Sequence, residues 1–311
     1  MTSQLIWANL LHLSVNMWND VPPQYSEELR FDVPLWNELT ERMADSGFNM
    51  VVIDVGDAVQ LQSHPEIAVR NAWSPERLRE ELTRLRGLGL EPIPKLNFST
   101  GHDIWLKEYS YQVSTPVYYQ VTADVIAEVA ELFDTPRFFH IGMDEETAQH
   151  QRRQQLAIMR QHDLWWHDLN YLADKVTEAG SRPWIWSDHA WRIPDEFYQR
   201  MPKSILQSNW YYGPGFDTDP SGRPRELGSG EYHLAYLDLN DNGYDQIPTG
   251  STWSCEENFE RTVEYCAKHV DPARLLGFLQ TPWLMTVPEH RETHLLAIDV
   301  VKRAKDKLES Q

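Results

Sequence analysis

NMVVIDVGD (49–57), SPERLREELTRLRGLG (74–89) and EPIPKLNF (91–98) follow one another early in the chain, and their order decides the fold. The first and third are nearly continuous apolar runs, the pattern of strands buried on both faces. The second opens with Ser74 at an N-cap position and Pro75 at the first helical position, and it ends in glycines. Strand, amphipathic helix and strand in this order make a parallel β-α-β unit.

The same alternation extends to both ends. LIWANLLHLS (5–14), RFFHIGMD (137–144), RPWIWSD (182–188), SILQSNWYY (204–212), EYHLAYLD (231–238) and LLGFLQTPW (275–283) are further strand candidates. TADVIAEVAELF (122–133), LWWHDLNYLADKVTEAG (164–180), NFERTVEYCAKHV (258–270) and HRETHLLAIDVVKRAKDKL (290–308) carry apolar residues at helical intervals. The expected fold class is α/β, a (β/α)8 TIM barrel with residues 1–311 as one catalytic domain. An open doubly wound sheet is the alternative, but no G-x-G-x-x-G follows the first strand. YYGPGFDTDPSGRPRELGSGE (211–231) reads as a long loop after strand six, of the kind that shapes substrate pockets.

Bulk properties narrow the function. A net charge of −19 over 311 residues leaves no basic footprint for nucleic acid or an anionic membrane surface. The two cysteines, Cys255 and Cys266, make neither a disulfide framework nor a zinc site. MTSQLIWANLLHLSVNMWND lacks a basic n-region and a small-residue cleavage site, so it reads as a first strand and points to a cytoplasmic location. No run is long enough to span a bilayer.

Catalytic groups in such a barrel sit at the carboxyl ends of the strands. Those ends carry Asn16 and Trp18, Asp54 and Asp57, Asn97 and His102, and His140 with Asp144 and Glu145. Then come Trp186 and Asp188, Asn209 and Trp210, Tyr236 and Asp238, and Trp283. Carboxylates mixed with Trp and Tyr suit a sugar, which offers hydroxyls to the acids and apolar C–H faces to the rings. A Walker motif, a G-x-S-x-G elbow and H-E-x-x-H are all absent from the sequence. A metal site built from His102, His140, Asp144 and Glu145 is the rival, without the His-x-His spacing such sites favour. No metal or cofactor is expected.

FHIGMDEE (139–146) resembles the H-x-G-x-D-E signature of family 20 glycoside hydrolases, the β-N-acetylhexosaminidases. SGFNMVVIDVGDAVQL (46–61) resembles the family's second strand, with Asn49 and Asp57 on its Asn and Asp positions. WSPERLREELTRLRGLGLEPIPKLNFSTGH (73–102) resembles the helix and third strand that lead to a Gly-His, here Gly101-His102. PWIWSD (183–188), AYLDL (235–239) and GFLQTPW (277–283) look like the strands ending in a pocket Trp, a Tyr-x-Asp and a final Trp.

The resemblance implies a retaining, substrate-assisted hydrolysis in which the substrate's acetamido oxygen attacks its own anomeric carbon. Glu145 would then be the acid/base, kept protonated by its ionised neighbour Asp144, which orients the acetamide. His102 would bridge Asp57 and Glu145, and Tyr236 would hold the acetamide oxygen. Trp186, Trp210 and Trp283 would wall the pocket, with His140, Asp238 and Asn16 as further substrate-binding residues.

The departures lie where sugar hydroxyls are read. Asn16 stands near the place of the family's strand-one Arg, Met285 takes the place of a Glu after the final Trp, and Lys95 and Asn97 replace acids on strand three. This pattern is that of a divergent sister family, with N-acetylgalactosamine as eligible as N-acetylglucosamine. The carbohydrate is the expected partner, and a homo-oligomer in which a neighbouring subunit supplies hydroxyl-binding groups is compatible with the sequence. Two other readings stay open: a non-catalytic sugar-binding barrel, and a glycosidase using two separated carboxylates such as Glu145 and Asp238 on sugars without an acetamide.

Overall fold

In a computed structural model, which describes residues 4–17, 25–216 and 232–310, eight parallel strands close into a barrel wrapped by helices. The strands are β1 (Ile6–His12), β2 (Met50–Asp54), β3 (Glu91–Lys95), β4 (Phe138–His140), β5 (Arg182–Trp186), β6 (Leu206–Ser208), β7 (Thr249–Gly250) and β8 (Gly277–Gln280). They pair in the order β6-β5-β4-β3-β2-β1-β8-β7. Bridges Gln207↔Gln246 and Trp210↔Thr249 join the two ends. The helices are α1 (Val33–Asp45), α2 (Pro75–Gly87), α3 (Pro116–Leu132), α4 (Asp163–Glu178), α5 (His189–Arg192), α6 (Pro194–Arg200), α7 (Ala235–Asp241), α8 (Asn258–His269) and α9 (Arg291–Glu309).

Strand side chains alternate between two dry environments, which is why the sequence shows no polar–apolar alternation. Ile6, Ala8, Leu10, Met50, Val52, Ile93, Phe138, Trp184 and Leu279 form one cluster inside the barrel. Trp7, Leu11, Val51, Ile53, Phe139, Ile185 and Phe278 belong to the other, beneath the helices. Continuing the inward set to the strand ends brings His12, Asp54, Lys95, His140 and Trp186 into the uppermost layer. Helix starts are fixed by side chains: Asp32 accepts from Leu35 N at 2.7 Å, Ser74 from Arg77 N at 3.2 Å and Thr115 from Tyr118 N at 3.3 Å, each with a proline at the first or second helical position.

Strand seven is a correction. Of EYHLAYLD, residues 232–234 form a 3-10 turn and Ala235 begins α7, while β7 lies at Thr249–Gly250. Ala235, Tyr236, Asp238 and Leu239 are buried at helical spacing, and that packing decides the conformation. The strand itself is two residues long and follows a proline, so it carries no apolar run. Trp18 and residues 217–231 of the expected long loop lie outside the described residues. No described helix is long and apolar enough to cross a membrane.

Candidate active site

The chain leaves β4 through backbone that side chains rarely adopt. Gly142, Met143 and Glu145 have φ of 72°, 73° and 52°. Only glycine fits at 142, because a Cβ there would stand 1.9 Å from Asn97 Oδ1. Asn97, two residues past β3, pins this turn: its Nδ2 donates to Asp144 Oδ1 at 2.7 Å, and its Oδ1 accepts from Ser99 N at 3.0 Å and Met143 N at 3.3 Å. Ser99 Oγ donates to the Asp144 carbonyl. Glu145 N donates to Asp188 Oδ2 at 3.0 Å, and Arg192 donates to that same oxygen at 2.8 Å. Loops from β3, β4 and β5 thus converge on Asp144 and Glu145.

Two imidazoles face Glu145. His102 Nε2 lies 3.2 Å from Glu145 Oε2 and 3.5 Å from Asp144 Oδ2. His150 Nε2 lies 3.2 Å from Glu145 Oε1. His102 Nδ1 sits 3.0 Å from the Met17 carbonyl, which only accepts, so Nδ1 carries a hydrogen. With carboxylates against Nε2 as well, the ring holds both protons. Burial opposes that charge, but Asp144 and Glu145 outweigh it and raise His102 to about 9. Burial also favours the neutral form of Glu145, yet hydrogen bonds from His102 and His150 hold it far below the ordinary carboxylate range. His102 and His150 therefore favour the carboxylate of Glu145, whereas a neighbouring charge on Asp144 favours the protonated acid. Asp188, by contrast, is pushed up to about 6 by burial, with Arg192 opposing and Asp144 and Glu145 adding to the rise.

Asp57 is placed differently from the expected bridge. It accepts from Ser14 Oγ and Asn16 Nδ2, each at 2.7 Å, while His102 turns to Met17. The chain beyond β1 supplies these partners and occupies the bridging position. Burial raises Asp57 to about 6 against those hydrogen bonds. Asn16 also exchanges hydrogen bonds with the backbone of Ser26, so its amide ties down the chain after β1.

An aromatic wall, drawn from the chain at and beyond β5, β6 and β8, stands beside this cluster. Trp186 meets Trp283 edge-on at 5.7 Å, and Trp283 Nε1 donates to Tyr212 Oη at 2.9 Å. Tyr212 stacks on Trp210 at 5.1 Å, and Trp191 meets Trp210 at 4.4 Å. Burial raises the Tyr212 phenol, and the nearby charges of Glu145 and Asp144 add to it. Tyr236 is not in this wall: it is fully buried on α7, its hydroxyl donating to Thr249 O at 3.0 Å. Asp238 sits on α7 too, buried in its first turn. His140 is sealed in the barrel, 4.2 Å from Trp186 and 5.0 Å from Trp184, and burial keeps it neutral. Sequence reasoning overlooked Tyr212 and His150. Tyr212 had a signal, an aromatic two residues beyond Trp210; His150 had none, because its loop follows no periodicity.

That loop is closed at its base. Arg160, buried, holds Glu146 at 2.7 Å, reaches Asp168 at 3.3 Å and donates to Phe98 O at 2.7 Å. As for a metal, His102, Asp144 and Glu145 offer ligand atoms within 4.8 Å of one another, and His140 is not among them. A cation there must displace the His102 Nε2 proton, which two carboxylates retain.

A (β/α)8 barrel with an acid–imidazole cluster and an aromatic wall at its carboxyl-end face defines the class of this protein. Residues 61–278 match the catalytic domain of glycosyl hydrolase family 20, and the chain belongs to that family. The fold is similar to that of an inactive variant of the exo-β-N-acetylglucosaminidase from Vibrio harveyi, with TM-score 0.62 and 15% identity over 97% of this chain and 57% of that one. It is also similar to the chitobiase from Flavobacterium johnsoniae, with TM-score 0.64 and 16% identity over 99% and 51%. Dispersin B aligns with TM-score 0.61 and 14% identity over 95% and 98%. The chain thus spans little more than half the length of the first two. No curated protein sequence matches it.

Proposed function

We propose that this protein is a retaining glycosidase that releases β-linked N-acetylhexosamine by substrate-assisted catalysis. The observation that carries this reading is the pairing of Asp144, locked by the Asn97 amide, with the neighbouring Glu145. Two adjacent carboxylates cannot flank a glycosidic bond as acid and nucleophile, but they suit a substrate that brings its own nucleophile. Asp144 accepts the acetamide N–H and stabilises the positive charge that develops as the acetamido oxygen attacks the anomeric carbon. Glu145 protonates the departing oxygen and then takes a proton from the incoming water. Trp186 and Trp283 exclude water, and Tyr212, placed beside both carboxylates, is the phenol suited to the acetamide oxygen. That role moves from Tyr236, whose hydroxyl the Thr249 carbonyl already holds.

Hydrolysis of the p-nitrophenyl β-glycosides of N-acetylglucosamine and N-acetylgalactosamine tests the proposal. Glu145→Gln should lower kcat by about 10²- to 10⁴-fold. Asp144→Asn should damage turnover of both sugars while sparing the fold. Inertness of the wild type toward both glycosides, or full activity of Glu145→Gln, would overturn it.

A further inference from the structure

We propose that His150 is the proton-holding and positioning residue of Glu145. It delivers a proton to Glu145 Oε1 when substrate fills the mouth and recovers it when product leaves. This rests on Glu145 being the acid/base of the reaction above, which needs a carboxylic acid where two imidazoles, each 3.2 Å away, favour a carboxylate.

The two histidines differ in what else they touch. His102 is held by the Met17 carbonyl on one nitrogen and by two carboxylates on the other, so its proton is fixed. Among the described residues, His150 meets one carboxylate, at 3.2 Å. Its Nδ1 lies 2.8 Å from Thr147 Oγ1, a hydroxyl that donates or accepts equally well. When Nε2 is deprotonated, Nδ1–H turns to the hydroxyl, and in the other tautomer the hydroxyl turns to Nδ1. Either arrangement leaves both nitrogens satisfied. The His150 side chain is 33% exposed against 10% for His102, which gives its proton access to solvent.

Every proton has a destination. In the free enzyme His150 Nε2–H donates to the Glu145 carboxylate. Substrate expels water from that pair, and in a drier site the neutral pair is favoured over separated charges. The proton crosses to Oε1, Glu145 gives it to the leaving oxygen, and the attacking water supplies its replacement. When the product departs and water returns, that proton goes back to His150.

The other groups facing Glu145 cannot substitute. Asp144 accepts from Asn97, Asp188 Oδ2 is taken up by the Glu145 backbone N–H and by Arg192, and the Tyr212 phenol, raised by burial, holds its proton.

Two experiments test this. In the first, 15N shifts of His150 are followed through a pH titration of the wild type and of Glu145→Gln, with no substrate present. The two curves should differ, because the carboxylate 3.2 Å from His150 Nε2 is removed in the variant. Identical curves overturn the inference. In the second, His150→Gln, which keeps a hydrogen bond but carries no proton, should lower kcat by about 10- to 100-fold with KM within about twofold. The alkaline limb of its kcat/KM profile should move toward acid pH. Thr147→Val, which keeps the imidazole, should move the limb the same way by less, and imidazole should partly rescue His150→Ala. An unmoved limb in His150→Gln overturns the inference. Coupled titration in an enzyme inert to both glycosides supports the proton pairing and overturns the substrate assignment alone.

Discussion

Lys95 with Asp54, in the upper layer of the barrel, and Glu145 with its two histidines, just beyond the strand ends, are both acid–base clusters in one fold. The lower pair is closed: Lys95 Nζ meets Asp54 Oδ2 at 2.5 Å with side chains 0% and 2% exposed. His12 stands 3.5 Å from the same oxygen. Burial would raise Asp54, but Lys95 and His12 hold it down at about 2. The upper cluster is crowded with acceptors, since Asp144, Glu145 and Asp188 share His102, His150 and Arg192. One set is a strut with a single stable protonation state. The other can change its proton content, because its bases include imidazoles that face more than one carboxylate oxygen, where the strut has a lysine.

Breaking the strut should produce the largest loss of stability. Lys95→Met leaves a buried carboxylate unpaired and should cost roughly 3–5 kcal/mol, read as a lower urea midpoint. Adding Asp54→Leu should recover most of it. A single variant as stable as wild type would erase the contrast between the two sets. Gly142→Ala acts where the upper cluster is built. Its Cβ must push Asn97 away from Asp144. The strain should cost about 1–3 kcal/mol, and kcat should fall more steeply than stability does. Unchanged turnover would show that Asn97 does not set Asp144.

A pH dependence is the last expected effect. His102 is raised from 6.5 to about 9 in the fold. A raised histidine contributes stability that is complete below its unfolded value and is lost as the pH climbs through the folded one. Unfolding free energy should therefore decline between those values, and more steeply in wild type than in His102→Asn. Parallel curves would place the His102 proton elsewhere.

Much of this was readable in advance, for identifiable reasons. Seven strands announce themselves because a barrel strand is dry on both faces, and the helix after β2 carries Ser74-Pro75; the first turns of α3, from Pro116, lie ahead of the apolar periodicity read from residue 122. β7 escaped because two residues closing a barrel need backbone hydrogen bonds more than apolar side chains. The Asp144–Glu145 pair and His102 were legible from one motif and its neighbours. The partner of His102 was not, since a backbone carbonyl such as that of Met17 leaves no mark in sequence. Tyr236 misled because a Tyr-x-Asp spelling looks the same on a helix as at a strand end.

The Arg160 clasp has a consequence for descent rather than for chemistry. By fastening the chain at Glu146 and again at its own position, it makes the intervening segment a self-contained Ω-loop whose ends stay put whatever lies between. Lengthening or rewriting that segment leaves the strands and the carboxylate pair where they are. The barrel can therefore keep Glu145 where it is while exchanging the imidazole that faces it, by changing a single cassette.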